Sequence, residues 1–272
     1  MRYKEKIAMF DFLKRNTVIN VHLELSNKCN LRCRMCPQNF MKRERKFMPF
    51  KLVKHVAENN PEVRRYGLSN WGEPLLHPDL ISIVRYLKGL NKLVGLSTNA
   101  VLLDSIMARN LQSLDWINFS VDAVGRDYER IRGVSYDLVK ANILDFIQTY
   151  PEVHSSVTVT VSKFNEKIVD AVVDEFKSIT SLVFQPAVLY QPSSKTNRCP
   201  FLFRRHLVVY PDGSVVGCCV DYDGFSVIGD AFKEKLSAIY NGEKMQKMRE
   251  GHGEICKVCY EYESDKAQNR FR

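Results

Sequence analysis

The sequence contains no long apolar run and no secretory signal. No stretch approaches the roughly 18 apolar residues that a membrane helix needs, and charges interrupt the first fifteen residues throughout. Internal repeats and low-complexity tracts are also missing. We therefore expect a cytoplasmic protein without a membrane-spanning segment.

A basic stripe interleaved with aromatic residues, which would indicate nucleic-acid binding, is also missing. The formal net charge is +9, but much of the basic character is concentrated in the run at 42–46. Such a run is typical of a solvated surface. We therefore expect no nucleic-acid partner.

The composition is that of a globular protein with a real core. The chain of 272 residues is 45% hydrophobic and 26% charged, which suits one large α/β domain with an appended module. Its eight cysteines stand without an export signal, and the cytosol keeps thiols reduced. Metal ligation is therefore a better interpretation than disulfide bonding.

Short apolar segments alternate with amphipathic segments over the first 190 residues. The alternation indicates six strands with helices between them, hence a parallel sheet with right-handed crossovers, open or closed into a partial (β/α)6 barrel. Ligands bind at the carboxyl ends of the strands in such sheets. The predicted strands are 17–25, 66–69, 93–98, 116–121, 156–162 and 182–185, and the predicted helices are 49–58, 78–88, 104–109, 136–149 and 166–178.

The alternation stops after Pro186. A turn-rich segment leads to a hairpin with Asp-Gly at its tip (212–213), where the backbone needs a positive φ. A helical stretch at about 235–249 then leads to a Cys-X2-Cys pair. We therefore expect a core domain at 1–190 and a small module of hairpin, helix and cysteines at 191–272.

Three cysteines, Cys29, Cys33 and Cys36, follow the first predicted strand. Thiolates this close together select zinc or an iron–sulfur cluster. A structural zinc site needs four closed ligands, and the nearest histidine, His22, lies on the strand itself. Three ligands leave one metal with an open position, which is what a reactive centre requires.

The spacing CX3CX2C after the first strand of a β/α chain resembles the radical S-adenosylmethionine (SAM) superfamily. The surrounding segment, LELSNKCNLRCRMC, is similar to that family as well. The resemblance implies a [4Fe–4S] cluster whose open iron chelates SAM. One electron then splits SAM into a 5′-deoxyadenosyl radical, which abstracts a substrate hydrogen. It also implies an electron donor such as a flavodoxin or a ferredoxin.

Further positions match the family in the same order. Trp71-Gly72-Glu73-Pro74 resembles its Gly-Gly-Glu-Pro motif, with Trp71 in place of the first glycine. The resemblance implies that Glu73 meets the amino group of SAM. Met35 stands where the family usually has an aromatic residue. The cofactor-binding residues that it implies are Met35, Gly72, Glu73, Thr98, Asn99, Ser120, Asp122, Arg132 and Pro186.

Strand alternation places Glu24 on the same side of the first strand as Asn20 and His22. Glu24 ends the strand and is a candidate polar contact inside the cavity, and so a candidate catalytic residue. His22 lies deeper and is interpreted as a core histidine.

A second set of cysteines lies beyond the core domain. It resembles the Twitch or SPASM extensions of the same superfamily, which carry an auxiliary [4Fe–4S] cluster, and four ligands fit the shorter Twitch version better. Adjacent strand residues point to opposite faces, so only one of Cys218 and Cys219 is an expected ligand, and the spacing favours Cys218. A zinc ribbon is the alternative. The ligands expected in this set are Cys199, Cys218, Cys256 and Cys259.

An auxiliary cluster with four protein ligands implies electron transfer, which suits a two-electron oxidation such as a dehydrogenase reaction. The expected substrate is a small polyol-like molecule or a peptide. One alternative is a radical SAM epimerase in which Cys219 is the thiol hydrogen donor. Another is a non-catalytic scaffold protein that binds metal.

Overall fold

A computed structural model describes residues 18–190, 202, 205–251, 253–257 and 259–261. Strands and helices alternate along the core in the predicted order. The strands are β1 (Asn20–Leu23), β2 (Arg65–Gly67), β3 (Leu93–Thr98), β4 (Trp116–Ser120), β5 (His154–Val161), β6 (Ser181–Pro186), β7 (Val188–Tyr190), β8 (His206–Val209), β9 (Ser214–Val216), β10 (Val227–Asp230) and β11 (Cys259–Glu261). The helices are α1 (Phe50–Asn59), α2 (Leu80–Gly89), α3 (Ser105–Leu111), α4 (Gly125–Arg132), α5 (Tyr136–Thr149), α6 (Val169–Phe176), α7 (Leu236–Asn241) and α8 (Glu243–Arg249).

Six parallel strands, β1 to β6, make up one side of a nine-stranded sheet, with β6 at its edge. They are ordered as in the sequence, and each neighbouring pair is parallel. A parallel pair needs a crossover connection, and a helix supplies it between every pair of these strands. The predicted α/β architecture with six parallel strands is thereby confirmed.

The C-terminal hairpin continues this sheet at the β1 edge. β8 pairs in parallel with β1, β9 pairs antiparallel with β8, and β10 pairs antiparallel with β9. Gly213 at the hairpin tip has a φ of 93°, as the Asp-Gly turn requires. The stretch predicted as one helix at 235–249 is two helices, which meet at Gly242.

A separate two-stranded sheet joins the two sides of the predicted domain boundary. β7 ends at Tyr190 and pairs antiparallel with β11, which contains Cys259. Strands from the two predicted segments thus pair with each other in both sheets, β1 with β8 and β7 with β11. The division into two domains at residues 190 and 191 stays a prediction.

Helix α5 shows how the local sequence fixes the outer layer. The Ser135 side chain accepts a hydrogen bond from the Leu138 amide and caps the first turn. The helix buries the apolar stripe that its 3.6-residue period predicts, including Val139, Ile143 and Phe146. Its observed bounds equal the predicted ones.

One helix was not predicted. The α4 sequence, GRDYERIR, is short and mostly polar, and its only apolar side chains are Tyr128 and Ile131, so it lacks the apolar content by which the other helices were predicted. It ends at Gly133, whose φ of 78° is the left-handed conformation typical of a helix end. Strands β7, β10 and β11 were also missed, because they have three or four residues each. Among the described residues, none of the helices has the length and apolar character that crossing a bilayer requires.

Candidate active site

A cavity of about 470 Å³ lies where the parallel strands end. Cys29, Cys33 and Cys36 line it together, next to side chains from the ends of β2, β3 and β4. This is the edge at which the fold predicts a ligand. The loop after β1 and the ends of the strands thus line the same cavity.

Hydrogen bonds within the loop after β1 hold the three cysteines at the cavity. The Cys36 amide donates to the Cys33 carbonyl at 3.0 Å, and a 3-10 helix, Pro37–Asn39, follows directly. The Arg45 side chain donates to the Gln38 carbonyl at 2.6 Å and closes the far end of the loop. The loop is therefore ordered by its own polar groups.

Burial disfavours the ionised form of all three thiols. It raises the pKa of Cys36 to about 12, and it raises the pKa of Cys29 and Cys33 as well. The positive charge of Arg132 acts in the opposite direction on each of them. Three thiolates here need further positive charge, and a bound metal centre supplies it.

Glu73 is buried at the cavity wall with a carboxylate that accepts three hydrogen bonds. They come from the Thr98 hydroxyl at 2.7 Å, the Asn99 amide at 2.8 Å and the Leu75 amide at 3.0 Å. Burial raises the pKa of the Glu73 carboxyl, whereas the three donors stabilise its charged form and lower the pKa. A carboxylate offers about four lone-pair sites. One therefore remains for an ammonium group in the cavity.

Gly72 lets two backbone segments approach closely at the cavity. A Cβ added here would lie 1.9 Å from the Ser26 carbonyl oxygen and 2.7 Å from the Lys28 carbonyl oxygen. Both atoms belong to the loop that carries the cysteines. Glycine is therefore required at this position for packing, in addition to its place in the cavity lining.

Asp122 and Arg132 line the cavity as a buried ion pair. An Arg132 guanidinium nitrogen lies 2.7 Å from Asp122 Oδ2, and Asp122 Oδ1 accepts from the Thr160 amide at 2.8 Å. Burial alone would lower the pKa of Arg132, but the Asp122 carboxylate raises it. Asp122 was expected to contact the cofactor, and in the structure its carboxylate is already bound by Arg132 and by the Thr160 amide. This pairing orients the guanidinium beside Cys33, whose charge also stabilises it.

The other expected cofactor residues divide into two groups. Met35, Asn99 and Ser120 line the cavity, and so does Thr98. The Asn99 side-chain amide lies 3.8 Å from the Cys29 sulfur and donates to the Asn30 side chain at 2.9 Å. The backbone of Pro186 ends β6 beside Val161. The structure does not describe the Pro186 side chain.

Glu24 was predicted to contact the cavity, but it does not line it. Its buried carboxylate forms an ion pair with Arg43, with Nη1–Oε2 and Nη2–Oε1 distances of 2.7 and 3.1 Å. It also accepts from the Trp71 amide at 3.2 Å and the Asn70 side chain at 3.3 Å. Two of these partners, Asn70 and Trp71, line the cavity, whereas Glu24 does not. Glu24 is thus a support for the loop after β2.

His22 lines the cavity floor, contrary to its interpretation as a core histidine. Burial, followed by the charges of His206 and Arg65, lowers its pKa to about 3, so its ring is neutral. The wall from β3 to β6 is built of hydroxyl and amide groups that the sequence analysis did not assign. Strand alternation was the signal that could have found them. They include Ser97, Asn118, Thr158, Thr160 and Gln185.

The adjacent cysteines of the hairpin face different surroundings. Cys219 packs on Val208, Tyr210 and Val216 and lines the cavity. Cys218 packs on the main hydrophobic core, as Cys256 does.

The surroundings of Cys218 and Cys256 converge on one side chain, Met248. A Cβ added to Gly217 or to Gly253 would lie 3.5 Å or less from a Met248 side-chain atom. Gly217 precedes Cys218, and Gly253 lies three residues before Cys256. Of the other expected ligands, Cys199 lies outside the described residues. Cys259 is described only through its backbone in β11.

These observations fit a [4Fe–4S] cluster with bound SAM at the cavity. Three thiols share one opening, a buried carboxylate keeps an acceptor site for an ammonium group, and a guanidinium offsets the thiolate charge. The donor set is the soft type that iron–sulfur clusters select.

Known proteins resemble the chain in sequence over part of its length. It is 34% identical over 109 residues to a tungsten-containing aldehyde ferredoxin oxidoreductase cofactor-modifying protein of Pyrococcus furiosus, covering 38% of this chain and 31% of the relative. It is 32% identical over 122 residues to a probable GTP 3′,8-cyclase of Saccharolobus solfataricus, covering 42% and 39%. The chain thus matches between about a third and two fifths of each relative's length.

The fold resembles a solved structure over most of both chains. Native anSMEcpe with bound AdoMet and a Cp18Cys peptide superposes with a TM-score of 0.67 at 17% identity, covering 86% of this chain and 82% of that chain. The sequence matches an iron–sulfur cluster-binding domain, SPASM, over residues 199–260 and the radical SAM superfamily over residues 23–176. The chain therefore belongs to the radical SAM superfamily and is a radical SAM enzyme with a [4Fe–4S] cluster, SAM and an auxiliary SPASM iron–sulfur cluster.

Proposed function

We propose that this enzyme cleaves SAM reductively and abstracts a hydrogen atom from an uncharged substrate, which then undergoes a two-electron oxidation. The observation that carries the proposal is the shared opening of Cys29, Cys33 and Cys36 into a cavity with polar walls. When bound, the cluster and SAM together supply the 5′-deoxyadenosyl radical.

The residues around the cavity have separate roles in this proposal. Cys29, Cys33 and Cys36 hold the cluster. Glu73 accepts from the amino group of SAM, because its carboxylate is fixed by three donors and keeps one acceptor site. Arg132 places positive charge beside the thiolates. The remaining residues proposed to hold SAM are Met35, Gly72, Thr98, Asn99, Ser120, Asp122 and Pro186.

The auxiliary cluster supports an oxidation. We propose Cys199, Cys218, Cys256 and Cys259 as its ligands, within a module at 191–272. A cluster with four protein ligands has no open position for substrate, so it is suited to accept the electron that an oxidised substrate loses. The shared surroundings of Cys218 and Cys256 support their part in this set.

The charge of the cavity indicates the substrate class. The ionised side chains of its described lining are Glu73, Asp122 and Arg132, and each is already held by protein partners. The walls otherwise offer hydroxyl and amide groups, and His22 is neutral. A buried charge without a partner is costly. We therefore propose that the substrate group entering the cavity is uncharged, either polyol-like or a neutral peptide segment.

The charge of the cavity lining also differs from the charge that a triphosphate site needs. A triphosphate requires several cationic side chains or metal ions, whereas the described lining contains one cation, Arg132, which is paired with Asp122. We propose that this chain does not share the substrate named for its GTP 3′,8-cyclase relative.

The decisive experiment measures 5′-deoxyadenosine formed by the anaerobically reconstituted, reduced protein with SAM. The wild-type protein should form it, Cys33→Ala should not, and Cys219→Ser should retain it. Added GTP should leave the rate unchanged. Absence of 5′-deoxyadenosine from the wild-type protein would overturn the proposal, and stimulation by GTP would overturn its statement about substrate charge.

One observation favours a second candidate function. Cys219 lines the cavity, where its thiol can return a hydrogen atom to a substrate radical, as an epimerase requires. In heavy water such an enzyme transfers deuterium from the exchangeable thiol into the product. A product that has lost two hydrogens and carries no deuterium would favour the first function. A product whose mass differs from that of the substrate only by the incorporated deuterium would favour epimerisation.

A further inference from the structure

Arg43 connects segments of the chain that are far apart in sequence. It lies in the loop after β1, beyond Cys36, and its side chain is 13% exposed. Its guanidinium forms the two-point ion pair with Glu24, donates from Nε to the Tyr222 carbonyl at 2.8 Å, and lies 3.7 Å from the centre of the Tyr210 ring. Each contact uses a different part of one rigid, planar group.

The contact with Glu24 reaches the loop that presents Glu73. Glu24 Oε1, which accepts from Arg43 Nη2, also accepts from the Trp71 amide at 3.2 Å. Trp71 stands two residues before Glu73, whose own amide donates to the Lys28 carbonyl at 2.8 Å. The orientation of the Glu24 carboxylate is therefore coupled to the backbone from which Glu73 projects.

The ion pair of Arg43 and Glu24 contributes geometry more than stability. Burial raises the pKa of the Glu24 carboxyl, and Arg43 opposes this effect through its hydrogen bonds and its charge. Desolvation of two buried charges offsets much of their attraction, so such a pair adds little net stability over apolar residues of the same shape. Two parallel bonds from one planar group, however, fix the orientation of the carboxylate.

On its other side, the backbone around Arg43 is attached to the segment at 221–226. Asp223 Oδ1 accepts from the Lys42 amide at 2.8 Å and from the Arg43 amide at 2.9 Å. The bond from the Arg43 side chain to the Tyr222 carbonyl joins the same two segments. The position of Arg43 is therefore set by a segment that lies far from it in sequence.

The segment at 221–226 is ordered by its own hydrogen bonds and reaches the second cysteine set. The buried carboxylate of Asp221 accepts from the last three backbone amides of the segment at 2.9, 2.9 and 2.8 Å. The Ser226 hydroxyl oxygen accepts from the Ile255 amide at 2.9 Å, and Ile255 directly precedes Cys256. A continuous set of hydrogen bonds thus extends from the neighbourhood of Cys256 to Arg43.

We propose that Arg43 is a positioning residue for SAM binding. It acts through Glu24 on the loop that presents Glu73, and its anchor at Asp223 holds it in place. This inference rests on the proposed function, in which Glu73 accepts from the amino group of SAM. It adds that the segment at 221–226 sets the affinity for SAM, although none of its residues, all of which the structure describes, lines the cavity.

SAM binding can be measured without turnover, by equilibrium dialysis of the full, anaerobically reconstituted protein. The variant Arg43→Met/Glu24→Gln removes both charges, so neither is left buried without its counter-ion. We expect it to bind SAM about tenfold more weakly, because the bonds that orient the Glu73 loop lose their charge and their fork geometry. Its iron content should equal that of the wild-type protein.

Two variants of Asp223 isolate the anchor. Asp223→Ala removes the acceptor of two backbone amides, and we expect SAM to bind about threefold more weakly or worse. Asp223→Asn keeps a side-chain carbonyl oxygen that accepts from both amides, so its affinity for SAM should be that of the wild-type protein. Rescue by asparagine identifies the hydrogen bonds, and not the charge, as the cause.

The matched control removes an ion pair at the opposite ends of the strands. Lys88 pairs there with the buried Asp115 carboxylate, which also accepts from the Val94 amide at 2.8 Å. Lys88→Met/Asp115→Asn should bind SAM like the wild-type protein, even where its stability is lower.

Electron paramagnetic resonance of the reduced proteins gives a second readout. Without SAM, the spectra of all variants should equal that of the wild-type protein, because Arg43 does not bind the cluster. Arg43→Met/Glu24→Gln should need about tenfold more SAM to change its spectrum, in agreement with its expected loss of affinity.

Three results would overturn the inference. The first is SAM affinity within about twofold of the wild-type value in both Arg43→Met/Glu24→Gln and Asp223→Ala. The second is an equal loss in the control variant, which would assign the effect to general destabilisation. The third is low iron or an altered SAM-free spectrum, which would assign Arg43 to folding of the cysteine loop. SAM binding needs no substrate and no turnover, so a wild-type protein that forms no 5′-deoxyadenosine would overturn the proposed function and leave this comparison readable.

Discussion

Cys218 and Cys219 are adjacent in sequence but face different surroundings just beyond the end of β9, which is Ser214–Val216. Cys218 packs on the main core with Cys256, whereas Cys219 lines the cavity that holds the first three cysteines. The sequence predicted a strand through both residues, but the strand ends at Val216 and Cys219 lies in a turn, so the path of the chain after β9 sets this separation. The two thiols therefore face two separate surroundings, and each can be tested alone.

Iron content should separate the two cysteines. Two four-iron clusters give about eight iron atoms per chain, and we expect Cys218→Ser to fall to about four because it removes a proposed ligand of the auxiliary cluster. Cys219→Ser should keep about eight, because its thiol faces the cavity. Iron and sulfide analysis of anaerobically purified protein measures this. Equal iron loss in both variants would contradict the assignment of Cys218.

Removal of Arg132 should destabilise the protein strongly. Arg132→Met leaves the buried Asp122 carboxylate without its counter-ion, which costs about 3–5 kcal/mol of unfolding free energy. Adding Asp122→Asn should recover part of this loss, because the second substitution removes the uncompensated charge. Urea unfolding of the three proteins provides the comparison. A double variant no more stable than Arg132→Met would show that the ion pair is not the cause.

Gly72→Ala should displace the cysteine loop. The added methyl group would lie 1.9 Å from the Ser26 carbonyl oxygen, and both groups are backbone-anchored. We expect a loss of about 1–3 kcal/mol of stability together with reduced iron incorporation. Gly89→Ala is the matched control, because its Cβ meets nothing within 4 Å and lies in a helix, where alanine is favoured by up to about 1 kcal/mol. Thermal unfolding and iron analysis test both variants, and equal behaviour of the two would refute the steric argument.

His22 should make stability depend on pH in the mildly acidic range. Burial holds its pKa at about 3 in the folded protein, below its ordinary value of 6.5. As the pH falls below 6.5, the unfolded chain therefore binds a proton that the folded protein does not. Stability decreases accordingly, by up to about 1.4 kcal/mol per pH unit.

The comparison with His22→Asn isolates this contribution. Between about pH 7 and about pH 5, the wild-type protein should lose roughly 2 kcal/mol more than the variant does. Chemical unfolding at several pH values gives both slopes. The slope is the readout, because loss of the ring also changes packing at every pH. Parallel slopes would mean that His22 is protonated in the folded protein.

The sequence was sufficient for the fold class and for the first three cysteines. The six strands and the helices between them have periods of 2 and 3.6 that are visible in the residues themselves, and α5 was predicted to its observed bounds. The cysteine spacing is local, so Cys29, Cys33 and Cys36 needed no tertiary information. Helix α4 was missed because it is short and mostly polar, with two apolar side chains.

Contacts between distant segments could not be predicted. Glu24 shared the strand face of His22, yet its carboxylate pairs with Arg43, nineteen positions later, and does not line the cavity. Asp122 and Glu73 were recognised as site residues, but their protein partners became visible only when strand ends and loops met. A sequence pattern predicts on which face of a strand a side chain lies, but it does not predict which side chain from a distant segment contacts it.

By itself, the sequence determined that three neighbouring cysteines follow the first strand of a β/α core and that a second cysteine set follows it. Tertiary structure decided how these features share space. It joined the hairpin to the β1 edge, turned Cys219 toward the cavity and Cys218 toward the core, and left the charged lining residues paired. The physical reason is that ion pairing and burial depend on distances between segments far apart in sequence, whereas periodicity and ligand spacing are local.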